Sequence, residues 1–402
     1  MNLLSSLRRS AHPFSPAGPK ARPLPASDTD RDASGAAPRG LSIANVTKRF
    51  GRQTALDGVS LDIAPGEFVA LLGPSGCGKT TMLRTLAGFE SLSAGRITLN
   101  GRALDDGKHS LPPEERRMGM VFQSYALWPH MSVADNVGYA LKLQGLRGPA
   151  YRRRVDDALA LVELAAYADR RPQALSGGQR QRVALARCLV TAPEVVLLDE
   201  PLANLDRHLR SAMEDSFRDF HRRTQATLVY VTHDQSEAMS LADRIAVMKD
   251  GRLIQLATPE TLYRQPRTPW VAGFIGQGSV LRLPGLTPSQ MVSGGPLQAA
   301  LEGRSTRHDT GSTSVVVRPE HVRLVPMPAG ASPRAPRRDA DRHPATPIGA
   351  RVLRSVFRGE RYDVHLAFDD GTHLQAYSPT HLATDTVVGA EIQRAWCLEP
   401  DT

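Results

Sequence analysis

Residues 73–80 read GPSGCGKT, a glycine-rich octapeptide of the form G-x-x-x-x-G-K-[ST]. The apolar run EFVALLG precedes it. TTMLRTLAGFE follows, with apolar residues at helical spacing, so the segment predicts a strand, a tight loop and a helix. That order commits the chain to an α/β fold whose loop meets a phosphate chain at a strand's carboxyl end. Gly76 and Gly78 let the backbone wrap closely and turn its N–H groups inward, and the helix adds its positive dipole end. Lys79 can reach β- and γ-phosphate oxygens, and the Thr80 hydroxyl suits Mg²⁺. Gly73, Pro74, Ser75, Cys77 and Thr81 complete the expected nucleotide-binding set. Cys77 reads as a small filler whose backbone, and not its thiol, matters.

The rest of the chain supplies the frame. LSIANVTKRF and ALDGVSLDIA alternate apolar and polar residues, as half-buried antiparallel strands do, and RITLN reads as another strand. From Ser132 to Ala174 the pattern is helical, clearest over Ser132–Leu141 and Tyr151–Leu164. EVVLLDEP and TLVYVTHD are buried strands, each followed by a helix. The first of those helices carries the stripe Leu205, Leu209, Met213, Phe217 and Phe220. RIAVMKDGRLIQL reads as a hairpin around Asp250–Gly251. Composition breaks near Ile275–Gly278, and strand-like pieces such as TSVVVRPEHVRLV and GTHLQAYS follow. The expected domains are an extension without structure over 1–40, a nucleotide-binding domain over 41–276 with a helical subdomain at about 124–190, and a small β-domain over 277–402. A Pro-, Ala- and Arg-rich insertion at 328–347 interrupts the last.

Composition excludes several classes. No stretch approaches ~18 consecutive apolar residues, so no bilayer-spanning helix is expected. The formal net charge is +9, but residues 1–40 and 328–347 hold five of those charges, which reads as solvated segments and not as a nucleic-acid surface. The Arg8–Arg9 pair is followed by Pro13 and Pro16 instead of the apolar stretch of a signal peptide. Cys77, Cys188 and Cys397 have no metal or disulfide spacing, which fits a reducing cytosol.

Two further motifs carry chemistry. Val195–Leu198 deliver Asp199 and Glu200 at a strand's carboxyl end. Asp199 is placed to hold Mg²⁺, and Glu200, one residue on and aimed differently, to act as general base. Residues 175–179 read LSGGQ, two glycines opening a helical pattern. Here the sequence resembles the ATP-binding subunits of ABC transporters. That resemblance implies a P-loop ABC ATPase domain, with a mixed sheet, an antiparallel β-subdomain and a helical subdomain, followed by an all-β, barrel-like domain of OB type. It implies that Ser176, Gly177, Gly178 and Gln179 grip the γ-phosphate of ATP bound by a second copy. Phe50 matches the adenine-stacking aromatic, Gln123 the glutamine that touches Mg²⁺ and senses the γ-phosphate, and His233 the switch histidine. Asp206 matches the loop that crosses the dimer interface, where Ala203 stands in place of a frequent Ser.

ETLYRQPRTPWVAGFIG resembles the junction, and VRPEHVRLV and VFRGERYDVHLAF the C-terminal β-domain strands, of importers of the iron, polyamine and sugar group. The implied assembly is a homodimer on the cytoplasmic face of the inner membrane. It would be coupled to separate permease subunits and indirectly to an extracytoplasmic solute-binding protein, with ATP and Mg²⁺ as cofactors and no nucleic acid. Tyr125, Leu127, Trp128 and Met131 read as a socket for a permease helix. VFQSYALWPHMSVADNVGYALKLQG and FIGQG resemble ferric-iron importers most, which implies ferric iron as cargo; polyamine, phosphonate and sugar cargoes are the alternatives. A non-transport ABC ATPase acting on DNA or ribosomes is disfavoured by the single ATPase unit, the scattered cysteines and the short span between Gln123 and Ser176. A small GTPase is excluded because no NKxD motif is present.

Overall fold

The computed structural model describes residues 40–203, 207–302, 312–327 and 347–399. The expected extension, the 328–346 stretch of the insertion, and Leu205 and Asp206 lie outside these residues.

The alternating N-terminal segments form β1 (Leu41–Phe50) and β2 (Gln53–Ile63), and the apolar run FVALL forms β3 (Phe68–Leu72). The glycine-rich loop leads into α1 (Lys79–Ala87), which stops at Gly88 with φ 87°. β4 (Ala94–Leu99) and β5 (Arg102–Asp105) join β1 and β2 in an antiparallel sheet of order β2-β1-β4-β5. Then come β6 (Met118–Val121), α2 (Val133–Leu143), α3 (Gly148–Leu161), α4 (Gly177–Leu189), β7 (Val195–Asp199), α5 (Arg207–Thr224) and β8 (Thr227–Thr232). α6 (Gln235–Leu241), the hairpin β9 (Arg244–Lys249) and β10 (Arg252–Ala257), α7 (Pro259–Arg264) and α8 (Pro269–Phe274) complete this part. α3 ends three residues short of the expected Leu164, because Glu163 takes a left-handed φ of 60°. The stretch from there to Ala174 contains only two short 3₁₀ turns.

A second, six-stranded sheet runs β10-β9-β3-β8-β7-β6, with parallel pairing from β9 through β6. Side chains alternate between its faces. Val69 and Leu71 enter a core shared with the antiparallel sheet and with Met82, Leu83 and Leu86 of α1. Phe68, Ala70 and Leu72 enter the core beneath α2 to α6, where Met213, Phe217 and Phe220 form the expected stripe. The registers Leu72↔Thr232, Asp199↔Val231 and Val121↔Leu198 bring the carboxyl ends of β3, β8, β7 and β6 into one line.

α1 is fixed at its far end by Arg116, which is fully buried. Its Nη1 donates to the carbonyls of Thr85 (2.7 Å) and Leu86 (3.0 Å), Nε to Leu111 O (2.8 Å), and Nη2 to Ser110 Oγ (2.7 Å) beside Asp105 (3.4 Å). The Thr85 and Leu86 carbonyls lie in the last turn of the helix, where in-helix donors run out.

The C-terminal part contains β11 (Ser279–Pro284), β12 (Met291–Ser293), α9 (Gly294–Glu302), β13 (Ser312–Val317), β14 (Val322–Pro326), β15 (Ile348–Phe357), β16 (Tyr362–Ala367), β17 (His373–Ser378), β18 (Val387–Ile392) and β19 (Arg394–Cys397). They make two antiparallel sheets, β11-β13-β19-β12 and β14-β18-β15-β16-β17, around one apolar core. The sequence reading had only strands here. The structure adds α9, whose Leu297, Ala300 and Leu301 pack into that core.

Candidate active site

The aligned carboxyl ends assemble the site. β3 delivers the phosphate loop, β8 His233, β7 Asp199 and Glu200, and β6 Gln123. This edge is where open α/β sheets bind ligands.

Within the loop, Gly76 and Gly78 have φ of 81° and 103°, the left-handed region that glycine enters freely. A Cβ on Gly78 would lie 2.6 Å from Ala55 O, and one on Gly73 would lie 2.3 Å from Met248 O. The loop is thus pressed onto β2 and β9, while Pro74, Ser75 and Gly76 remain exposed. Cys77 is buried, and its thiol is pushed up by burial against the opposing pull of Lys79. Lys79 is also buried, and its ammonium donates to Gly73 O (2.7 Å) and Pro74 O (3.1 Å). A buried cation needs acceptors. The loop carbonyls supply them here, and phosphate oxygens can replace them. Thr80 and Thr81 sit half-buried in the first turn of α1.

Asp199 faces this loop. Burial and the neighbouring Glu200 carboxylate push it above the ordinary carboxylate range, while Arg84, the Thr80 hydroxyl and Lys79 pull it back. Glu200 has a φ of 44°, unusual for a side-chain-bearing residue, and its N–H donates to Val231 O at 3.0 Å. From that turn its carboxylate reaches to within 3.2 Å of His233 Nδ1. Strain held by a ladder bond points to function.

The His233 turn has supports that the sequence reading missed. Asp234 N donates to Thr232 Oγ1 (2.9 Å), and Asp234 Oδ1 accepts from Ser236 N (2.8 Å) and caps α6. Buried Glu237 accepts from Tyr230 (2.8 Å) and Thr232 (2.7 Å), and Arg210 reaches both Asp234 (3.0 Å) and Glu237 (3.5 Å). Burial raises the Glu237 pKa against those hydrogen bonds. The D-x-x-E spacing before an apolar run was the available signal.

Gln123 is exposed just beyond β6. Phe50 is 47% exposed at the end of β1, with Lys48 Nζ 4.8 Å from its ring centroid. Ser176 caps α4 in a reciprocal box: its Oγ accepts from Gln179 N (3.3 Å), and Gln179 Oε1 accepts from Ser176 N (2.9 Å). Gly177 opens the helix and Gly178 is buried within its first turn. This helix packs on α2 and α3, in the layer beyond the sheet. Asp206, the expected interface residue, is outside the described residues.

The socket expectation needs correction at Tyr125, while Leu127, Trp128 and Met131 are half-buried. Left-handed φ at Tyr125 (60°) and Ala126 (45°) turns Tyr125 into the core, and Arg187 clamps the turn by donating to the carbonyls of both. Trp128 is half-buried against Tyr139, with ring centroids 4.5 Å apart. The exposed aromatics beside Gln123 are Phe122 and Phe89.

The ABC transporter family model matches residues 56–203, and the TOBE domain model matches residues 315–398. A "Spermidine/putrescine import ATP-binding protein" of Nitratidesulfovibrio vulgaris is 42% identical over 344 residues, covering 84% of this chain and 88% of its own. The chain belongs to the ABC transporter ATP-binding family. A "Diacetylchitobiose uptake system ATP-binding protein" of Streptomyces coelicolor is 45% identical, covering 74% of this chain and 79% of its own. An "Fe(3+) ions import ATP-binding protein" of Photorhabdus laumondii is 49% identical, covering 60% of this chain and 67% of its own. Among solved structures, CbiO1 of Clostridium perfringens, described as part of an ABC transporter complex, is 30% identical with a TM-score of 0.52, covering 56% of this chain and 90% of that one. The protein is therefore an ATP-binding subunit of the importer type with a TOBE domain, and an ATPase. Its C-terminal sheets answer to the expected OB-type domain. Among the described residues, no helix is long and apolar enough to cross a membrane.

Proposed function

We propose that this ABC ATPase energises a solute importer by closing as a homodimer on two ATP molecules. Each ATP would lie between one copy's 73–81 loop and the other's Ser176–Gln179, with Phe50 stacked on adenine and Asp206 at the interface. Closure would bury phosphates between opposing backbone donors, which is electrostatic clamping. Lys79 would exchange the Gly73 and Pro74 carbonyls for β- and γ-phosphate oxygens.

The donor set fits Mg²⁺. Among the described residues no cluster of three or more His, Cys, Asp or Glu side chains could hold a metal. A cation here would take its shell from the Thr80 hydroxyl, Asp199, Gln123, phosphate and water, the oxygen set Mg²⁺ prefers. Once bound, Mg²⁺ would neutralise charge on the β- and γ-oxygens. Glu200 would take a proton from the attacking water, and His233 would orient that water and contact the γ-phosphate. Gln123 would report γ-phosphate loss to the exposed surface around Phe122 and Phe89, where a permease helix would dock.

The observation that carries this reading is the 3.2 Å pairing of Glu200 with His233 at the edge that also holds the phosphate loop. The partners would be two permease subunits and, through them, a solute-binding protein, with the ATPase on the cytoplasmic membrane face. Relatives named for polyamine, sugar and ferric-iron uptake match at 42%, 45% and 49% identity. A motor shared across those cargoes leaves the choice, ferric iron included, to the partner subunits.

Glu200→Gln tests the assignment. Turnover should fall by roughly 10²–10⁴ while ATP still binds; full turnover refutes the base.

A further inference from the structure

Arg318 follows the apolar strand β13 and is almost fully buried. Its acceptors are backbone carbonyls of the preceding segment. Nε and Nη2 donate to Tyr263 O (3.1 and 2.5 Å), and Nη1 donates to Ala272 O (3.1 Å) and to Ile275 O. Gln235 grips the same segment: its Nε2 donates to Phe274 O, and its Oε1 accepts from Gly276 N at 3.3 Å. Gln235 is the first residue of α6, two after His233. A chain of hydrogen bonds thus runs from the C-terminal sheets through residues 272–276 to the helix behind His233. The segment has no slack, since a Cβ on Gly276 would lie 2.2 Å from the Tyr263 ring.

Beside this chain is a cavity of about 670 Å³ between α6, α7 and the C-terminal sheets. Its volume is that of a small-molecule site. Met239 of α6, Met291 and Trp396 supply apolar wall, and Arg394 and His321 supply polar groups. The other charges lining it are engaged. Glu320 accepts from the Tyr263 hydroxyl (2.8 Å), Arg264 pairs with Glu260 (2.8 Å), and Arg318 is spent on carbonyls. The Arg394 guanidinium has no hydrogen bond or ion pair among the described residues. Burial, with Arg394, Arg318 and Arg264 acting in the same direction against Glu320, holds the His321 imidazole below its ordinary value. A neutral imidazole beside a free guanidinium offers an oxyanion two kinds of donor.

We propose that this cavity binds a small organic anion, a carboxylate, sulfonate or phosphate ester on an apolar body, and that its occupancy alters ATP turnover through Arg318, residues 272–276 and Gln235. The coupling half rests on the role assigned to His233 above; the binding half does not.

Anilinonaphthalene sulfonate is a suitable probe, because its fluorescence reports entry into an apolar site. The full-length wild type should bind it saturably. Arg394→Glu and the cavity-filling Met291→Trp should each weaken binding by roughly tenfold or more, with thermal melting unaltered in the absence of probe. Wild-type affinity in both variants overturns the site. Saturating probe should change the wild-type ATPase rate by roughly fivefold. Gln235→Ala should keep the binding and lose that response. Probe bound with no change in wild-type rate overturns the coupling and leaves the site standing.

Discussion

Gly76 and Gly78 look equivalent in the sequence, but the structure separates them. Both have positive φ, so a Cβ at either carries the left-handed penalty of about 1–2 kcal/mol. At Gly76 nothing lies within 4 Å of the added Cβ. At Gly78 it would meet Ala55 O at 2.6 Å and Leu56 at 3.0 Å. A backbone oxygen cannot swing aside, so β2 must shift, at about 1–3 kcal/mol more. The free loop can relieve this strain by leaving its cradle shape, and nucleotide binding must then restore it. The strain should therefore appear mainly in ATP affinity. Gly76→Ala should weaken Mg-ATP binding about tenfold, and Gly78→Ala by about 10²–10³, reading ~1.4 kcal/mol as tenfold. Titration calorimetry with a slowly hydrolysed ATP analogue measures both. Equal losses in the two variants, or wild-type affinity in Gly78→Ala, would refute the reasoning.

Two other changes read out the frame and the acid pair. Arg116→Met removes the guanidinium that serves the carbonyls of Thr85 and Leu86 and leaves Asp105 buried beside a neutral residue, so it should destabilise the fold by about 3–5 kcal/mol in chemical denaturation. A loss under ~1 kcal/mol would mean that the clamp is idle. Asp199 has its pKa raised above 3.8, so the folded state holds this proton more tightly than the unfolded chain does. Its contribution to stability is present below 3.8 and is lost as pH rises through the folded value. Asp199→Asn should thus raise the melting temperature at pH 7 and flatten the loss of stability above pH 4 while slowing ATP hydrolysis; a lower melting temperature at pH 7 contradicts this.

What could be read from the sequence is what backbone chemistry dictates locally. A cradle of N–H groups needs glycines at fixed offsets, so GPSGCGKT and LSGGQ declare themselves. A buried parallel strand must be apolar until it meets solvent, so VVLLDE and LVYVTHD announce the site's acids and histidine. Parallel register then carries these separated motifs to one sheet edge. Non-local features stayed hidden. Arg116 sits in LPPEERRMG, a stretch that looks like surface, yet it is buried, with its donors on carbonyls at a helix end thirty residues earlier. Tyr125 looked like part of an exposed apolar patch, and two left-handed residues turn it inward. α9 begins with paired glycines, which read as a loop until Leu297, Ala300 and Leu301 find the C-terminal core. Arg318 reads as one more strand-end cation, and its acceptors come from a segment more than forty residues upstream.

The central claim is that ATP is held between the loop of one molecule and the Ser176 turn of another. Ser75 and Ser176 are both exposed, whereas Cys77, Cys188 and Cys397 are buried, so introduced thiols can be addressed against a quiet background. Ser75→Cys and Ser176→Cys should be placed together in a Glu200→Gln chain and oxidised with and without Mg-ATP. The account predicts a disulfide between copies that forms only with nucleotide and requires both substitutions. No such dimer, or the same yield without nucleotide, would contradict it.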